Sequence, residues 1–222
     1  MRGGVRQWLV NTFAVNNLIN ESHKLKSRIL FEEIPSGQNY LTQIIEAMRD
    51  GVAVEITYNS FWRDEVYTFP IEPYCVKVFR QRWYVVGRSP YKDQLRIYAL
   101  DRISKLDTTE EKFTIPTDFD GADYFYNSFG VVVDDGWHEI DDVKIKVYDK
   151  QANYIRTLPL HHSQQEIESN EEYTIFGYRL SPTYDFRQEI LSQGERVEVL
   201  SPDYLRGEIK EILTSQIKMY EA

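Results

Sequence analysis

The chain has 222 residues and a formal net charge of −9, with Tyr 16, Phe 11 and a single cysteine, Cys75. One cysteine excludes an internal disulfide framework, no apolar run is long enough to cross a bilayer, and Met1-Arg2-Gly3-Gly4 lacks the apolar core of a signal peptide, which together point to a soluble, cytoplasmic protein. The acidic balance argues against indiscriminate binding to duplex DNA, whose affinity comes from neutralising many phosphates, but leaves room for a small, focused anion site.

Residues 5–50 read as helical. Trp8, Leu9, Thr12 and Phe13 share a face, as do Leu25, Ile29 and Leu30, and Pro35-Ser36-Gly37 breaks the chain. The clearest helix spans Asn39 to Asp50, with Leu41, Ile44, Ile45 and Met48 at helical spacing and Gly51 at its end. From Val52 the period changes to two. Val52, Val54, Ile56 and Tyr58 alternate with polar or small residues, as in a half-buried strand. Further strands follow at Val66 to Phe69, Tyr74 to Phe79, Trp83 to Val86 and Leu95 to Leu100, with tight links and no intervening helix. That pattern predicts a small antiparallel barrel. Pro70 and Pro73 cannot donate ladder hydrogen bonds, which places their segment at an edge or a strand junction. Cys75, in an apolar run, reads as buried and inert.

Residues 107–139 read as an acidic linker whose aromatics (Tyr124, Phe125, Tyr126, Phe129) are suited to docking on something. Residues 140–222 form a second unit: strand Val143 to Tyr148, helix Lys150 to Leu158, a hairpin around residues 169–172, helix Asp185 to Gln193, strand Arg196 to Leu200, and a last helix with Leu205, Ile209, Ile212, Leu213 and Ile217 inward. The order β-α-β-β-α-β is the ferredoxin-like pattern. The predicted class is therefore α+β: a helical segment over 1–50, a barrel over 51–106, a linker, and a ferredoxin-like C-terminal domain.

The basic residues gather in one place. Between Arg80 and Ile103, Arg80, Arg82, Arg88, Lys92, Arg96 and Arg102 stand against only Asp93 and Asp101, interleaved with Trp83, Tyr84 and Tyr98. Arginine forks match phosphate geometry and aromatic faces stack on bases, so the stretch suits an anion that carries flat rings. Alternation puts Arg96 and Tyr98 on one strand face. Arg88 lies near the start of that strand and is a candidate third cation. Tyr58 and Phe61 are candidate aromatic walls, with core or rim packing as the plain alternative. Arg102 follows Asp101, and the two can pair with each other or with neighbours. Arg80 and Arg82 flank a turn and read as a solvated loop. Trp83 and Tyr84 point to opposite sides of their strand, so one belongs to the core. His23, His138, His161 and His162 show no metal-ligand spacing, and His161-His162 reads as an exposed loop. Asp134-Asp135 and Asp141-Asp142 read as solvated acids. No phosphate-binding glycine loop or nucleophile motif is present, so the chain reads as no enzyme, with no cofactor and no metal.

Arg82-Trp83-Tyr84-Val85 and Arg96-Ile97-Tyr98-Ala99-Leu100-Asp101-Arg102-Ile103 resemble the WYL-domain transcription regulators, with Val85 in place of the family's Leu, facing the core. The resemblance implies an Sm/SH3-like barrel followed by the family's C-terminal extension. Such a barrel senses a nucleotide or single-stranded nucleic acid and regulates an attached DNA-binding domain. It favours Arg88, Arg96, Tyr98, Arg102, Tyr58 and Phe61 as ligand contacts, with Trp83, Tyr84, Val85 and Asp101 structural. Members usually carry a winged helix-turn-helix ahead of the helical linker. None fits before Trp8, so duplex DNA would be reached only through a missing domain, and a homodimer is expected. A competing reading is a protein-interaction or dimerisation module with no small ligand. The two separate on whether the arginines converge on an open concavity or are each paired with an acid.

Overall fold

A computed structural model of the chain describes residues 37–61, 65–91, 93–133, 136 and 138–221. The readings at Trp8 to Phe13, His23, Leu25 to Leu30 and Asp134-Asp135 lie outside them. Helix α1, Leu41–Asp50, buries Ile44 and Ala47 and ends at Gly51, whose φ of 60° lets its N–H reach the Ala47 carbonyl. Ile45, expected on the inner face, is 47% exposed. Its place is taken by Ala47, which is small enough to let the helix lie close to the sheet.

The helix covers a five-stranded antiparallel sheet: β1 (Val52–Asn59), β2 (Val66–Phe79), β3 (Arg82–Ser89), β4 (Gln94–Ala99) and β5 (Ile103–Lys112). The strand order is β4-β3-β2-β1-β5. β4 and β5 are its two edges, so the antiparallel sheet expected above is present but does not close on itself. Ile44, Val54, Ile56, Ile71, Val85, Tyr98, Leu100 and Leu106 form the shared core. Each fully buried aliphatic side chain there contributes about 1.5–3 kcal/mol. β2 runs unbroken through both prolines and changes partner where they sit. Residues 66–71 pair with β1 and residues 72–79 with β3, across a bulge between Pro73 and Cys75. β5 takes in residues 107–112, read above as linker. It is an edge strand that turns only Ile103 and Leu106 inward, and its exposed acids hide the alternation.

Residues 113–133 then cross the outer face of β2 and β3 as a strap. Phe113 stacks on Tyr74 at 5.9 Å, Phe119 meets Tyr74 edge-on at 5.0 Å, and Tyr124 and Phe125 continue the cluster. A one-turn helix α2, Gly121–Tyr124, is capped by the Asp120 carboxylate, which accepts from the Ala122 and Asp123 N–H groups. Lys77 reaches from β2 to donate to the Gly130 carbonyl, with its ammonium 3.9 Å above the Phe125 ring.

The second unit has β6 (Asp141–Tyr148), α3 (Gln151–Thr157), β7 (Gln165–Ser169), β8 (Tyr173–Leu180), α4 (Tyr184–Ser192), β9 (Val197–Ser201) and α5 (Asp203–Tyr220). The antiparallel sheet has order β7-β8-β6-β9. Helices α3, α4 and α5 bury Ile155, Phe186, Ile190, Leu205 and Ile209 against Val143, Ile145, Val147, Phe176 and Val199. Phe129 joins the units, edge-on to Phe79 at 5.7 Å and to Phe186 at 6.0 Å. Beside it the Asp185 carboxylate accepts from the Val131 and Val132 N–H groups at 2.7 and 3.0 Å. Gly130 is required there. Its φ is 84°, and a Cβ would stand 2.4 Å from the Asp185 carboxylate.

Candidate nucleotide-binding groove

The hairpin pairing of β1 with β2 sets Tyr58 opposite Tyr67 and Ile56 opposite Phe69. The pairing of β3 with β4 sets Val85 opposite Tyr98 and Gly87 opposite Arg96. These two registers bring Tyr58, Ser60, Tyr67, Thr68, Phe69, Ser89, Tyr91, Arg96 and Tyr98 around one groove of about 310 Å³. Tyr98 forms its floor. It is buried, edge-on to Tyr58 at 5.4 Å and tilted against Phe69 at 5.6 Å. Burial raises the pKa of the Tyr98 phenol against the opposing charge of Arg96. It does the same to Tyr58, where the Ala99 N–H and the Arg102 guanidinium oppose it. Both rings are therefore neutral at physiological pH and put no negative charge in front of an anion.

Arg96 stands exposed at the groove wall. Its polar partner among the described residues is the Gln94 side chain at 3.4 Å, and no carboxylate there forms an ion pair with it. The neighbouring arginines differ. Arg80 pairs with Glu189 of the second unit at 2.7 Å, so it is no free loop residue. Arg82 pairs with Asp101 at 3.4 Å. Arg88 corrects the expectation of a third cation in the groove. It lies opposite Leu95, one residue out of phase with Arg96, and so on the other face of the sheet. There it grips Glu72 with two hydrogen bonds of 2.6 and 2.9 Å and Asp93 with a third of 2.8 Å. Those bonds, to Glu72 first, raise its pKa.

Arg102 does not pair with Asp101. Its guanidinium lies 3.8 Å above the Phe61 ring, and its buried Nε has no hydrogen-bond partner among the described residues. Arg102 and Phe61 thus form a stacked pair beyond Tyr58 rather than part of the groove wall. Trp83 and Val85 turn inward, Val85 fully buried and Trp83 packed at the core margin, while Tyr84 takes the strap side. Sequence reasoning missed Tyr67, Phe69, Ser89 and Tyr91. The register of β1 on β2 would have pointed to the first two, since it places them beside Ile56 and Tyr58.

Two larger hollows lie in the second unit. One is lined by Asp149, Glu171, Glu172 and Glu195 against Arg196, the wrong sign for an anion, and the other by Lys150, Arg156 and Arg196 against Asp149 and Glu171, with Arg156 already paired with Glu166. No group of three or more metal-ligating side chains gathers among the described residues. His161 is not the exposed residue expected. It is 7% exposed, and it and His162 both direct Nε2 at the Tyr126 carbonyl, at 3.0 and 2.7 Å. Burial pushes its pKa down to about 4.

A family model for the WYL domain matches residues 39–108, and one for the WCX domain matches residues 139–215. No curated protein matches the chain. Among solved structures, a CRISPR Cas-related protein is 15% identical with a TM-score of 0.50, over 82% of this chain and 51% of its own. The proteasome accessory factor B/C of Arthrobacter aurescens is 18% identical with a TM-score of 0.37, over 86% of this chain and 29% of its own. The chain thus spans about half or less of these solved structures, and the likeness to the first of them speaks to fold alone.

Proposed function

We propose that this chain, which belongs to the WYL-domain family, is the ligand-sensing part of a transcription regulator, and that its groove takes a nucleotide or a short single strand of nucleic acid. The observation that carries the reading is the contrast among the arginines. Arg80, Arg82 and Arg88 are each held by an acid, whereas Arg96 forms no ion pair among the described residues and opens onto an aromatic-lined groove. A surface built only for docking another protein gives no reason to leave that one guanidinium uncompensated beside Tyr58 and Tyr98. Arg96 supplies the phosphate contact and the tyrosines supply faces for the bases. Arg102 and Phe61 extend the same basic, aromatic surface.

In the finer fold reading, the open sheet is an Sm/SH3-like barrel parted at one seam. The β9-β6-β8-β7 order of the second sheet is the ferredoxin-like arrangement. The groove draws on the first half of β2 and the strap on the second half, so one strand touches both ligand and second unit. Ligand shifts the second unit only to the extent that its affinity differs between two arrangements of that joint. Partners in this reading are a second copy of the chain and, through a separate DNA-binding domain, duplex DNA.

The test is fluorescence anisotropy of short labelled single-stranded DNA and RNA, titrated over salt with mono- and cyclic nucleotides as competitors. Saturable binding that weakens with salt and falls at least tenfold in Arg96→Ala supports the reading. Binding unchanged in that variant contradicts it.

A further inference from the structure

The helices of the second unit cover one face of its sheet, and the other face carries a pattern of its own. Strand β6 alternates, so Val143, Ile145 and Val147 go to the core while Lys144, Lys146 and Tyr148 go to the opposite side. On β8 the outward set is Tyr173, Ile175, Gly177 and Arg179. The register sets Tyr148 directly opposite Tyr173, Lys146 opposite Ile175 and Lys144 opposite Gly177. These are the two central strands of the sheet. Ile167, in the bulge of β7, lies flat over Gly177. A Cβ on Gly177 would come within 2.7 Å of its Cδ1, so the glycine makes room for this apolar flank.

The two tyrosine rings already hold a cation. The Lys146 ammonium sits 3.9 Å from the Tyr173 ring centre and 5.2 Å from that of Tyr148. Their hydroxyls are tied to the sheet margins, Tyr148 donating to Glu198 at 2.8 Å and Tyr173 to Glu168 at 2.6 Å. Those bonds fix ring orientation and leave the faces, which are what a base stacks on. Lys146 is a long, flexible side chain and can leave the ring face for a phosphate. A four-stranded sheet with aromatics on its two central strands is the geometry by which RNA-recognition modules stack two or three bases.

We infer that this open sheet face is a second platform for single-stranded nucleic acid, with Tyr148 and Tyr173 stacking bases and Lys144 and Lys146 meeting the backbone. The inference does not depend on the groove of the first sheet. Acids at Asp142, Glu168 and Glu198, with Asp149, Glu171 and Glu172 in the hollows that Tyr148 and Tyr173 border, offset the basic charge on this face. Stacking therefore carries more of its affinity than counterion release does, and its salt dependence is shallower than that of the groove.

The test uses the whole chain carrying Arg96→Ala, which weakens the groove at least tenfold, with eight-nucleotide fluorescein-labelled oligouridylate and oligothymidylate. Parallel strands containing 4-thiouridine or 4-thiothymidine are photocrosslinked and the attached peptides mapped by mass spectrometry. The inference predicts crosslinks on the β6 and β8 peptides. It also predicts a loss of about fivefold or more in affinity for Tyr148→Ala and for Tyr173→Ala, the lower end of what one stacked base contributes. Tyr148→Phe and Tyr173→Phe keep the ring and bind as the parent does. Crosslinks confined to the first sheet, absence of binding in the Arg96→Ala background, or alanine variants that melt and bind like the parent would each overturn it. The crosslink map decides the matter should an alanine variant fold poorly.

Discussion

Arg88 and Arg96 lie on neighbouring strands of one sheet and face opposite sides. On the groove side a guanidinium stands in solvent beside neutral phenols. On the strap side the other is held by three hydrogen bonds to two carboxylates, one of them the buried Glu72. The residue type is the same and the roles are not. A charge whose partners are already present contributes to stability and is closed to ligands, while one without them keeps its hydrogen-bonding capacity for a phosphate. The whole sheet divides in the same way, its inner face lining the groove and its outer face making a joint to the second unit.

The joint is where a substitution should cost most. Phe129→Ala removes a partly buried ring wedged between Phe79 and Phe186 and should lower stability by about 2–3 kcal/mol in denaturant unfolding. Loss of groove affinity without loss of stability would undo the division between the faces.

Two bases at the strap, the half-buried Lys77 and the buried His161, should mark opposite ends of the pH profile. Burial pushes the Lys77 ammonium down to about 8. Between pH 8 and about 10.5 the unfolded chain holds this proton and the folded chain does not, so stability should rise across that window, by on the order of 2 kcal/mol. Lys77→Met should lack the rise. His161, with its pKa lowered to about 4, is neutral when folded, and the unfolded chain takes up the proton first as pH falls. Stability should therefore drop from about pH 6.5 down to about 4, by on the order of 2 kcal/mol, and His161→Gln should flatten that limb. Thermal melting over pH checks both, and profiles unchanged by the substitutions would show that the strap does not bury these groups.

The smallest effect is expected in the groove wall. Tyr58→Phe removes the acceptor for the Ala99 N–H, a 3.3 Å bond, and should cost about 0.5–1 kcal/mol while sparing the ring that lines the groove. A large loss of ligand affinity would mean that the hydroxyl, rather than the ring, makes the contact.

Much of this was legible from alternation alone. Arg96 and Tyr98 share a face because a single residue, Ile97, separates them, and the same alternation puts Val85 in the core with Trp83. Arg88 was misplaced because nearness along a hairpin does not fix which face a side chain takes. That depends on the register across the turn, which pairs Arg88 with Leu95. The β2–β3 turn was legible from the strands on either side, without the residues that usually mark one. Arg80 and Gln81 both have positive φ, 47° and 65°, where Asn-Gly would have announced the hairpin. His161 looked exposed because what buries it, the Tyr126 region of the strap, lies 35 residues earlier. The β-α-β-β-α-β order of the second unit needed no such long-range knowledge, since each element announces itself by its own period.

The most direct measurement compares Arg96→Ala with Arg88→Ala, each titrated with a labelled single-stranded oligonucleotide and each melted. Arg96→Ala should lose about tenfold to a hundredfold in affinity, the worth of a charge-assisted hydrogen bond, and melt with the parent. Arg88→Ala should bind normally and lose about 1–2 kcal/mol of stability, because the buried Glu72 carboxylate is left without its partner at a site that solvent partly screens. The reverse outcome, with Arg88 needed for binding and Arg96 dispensable, would contradict the assignment of the groove.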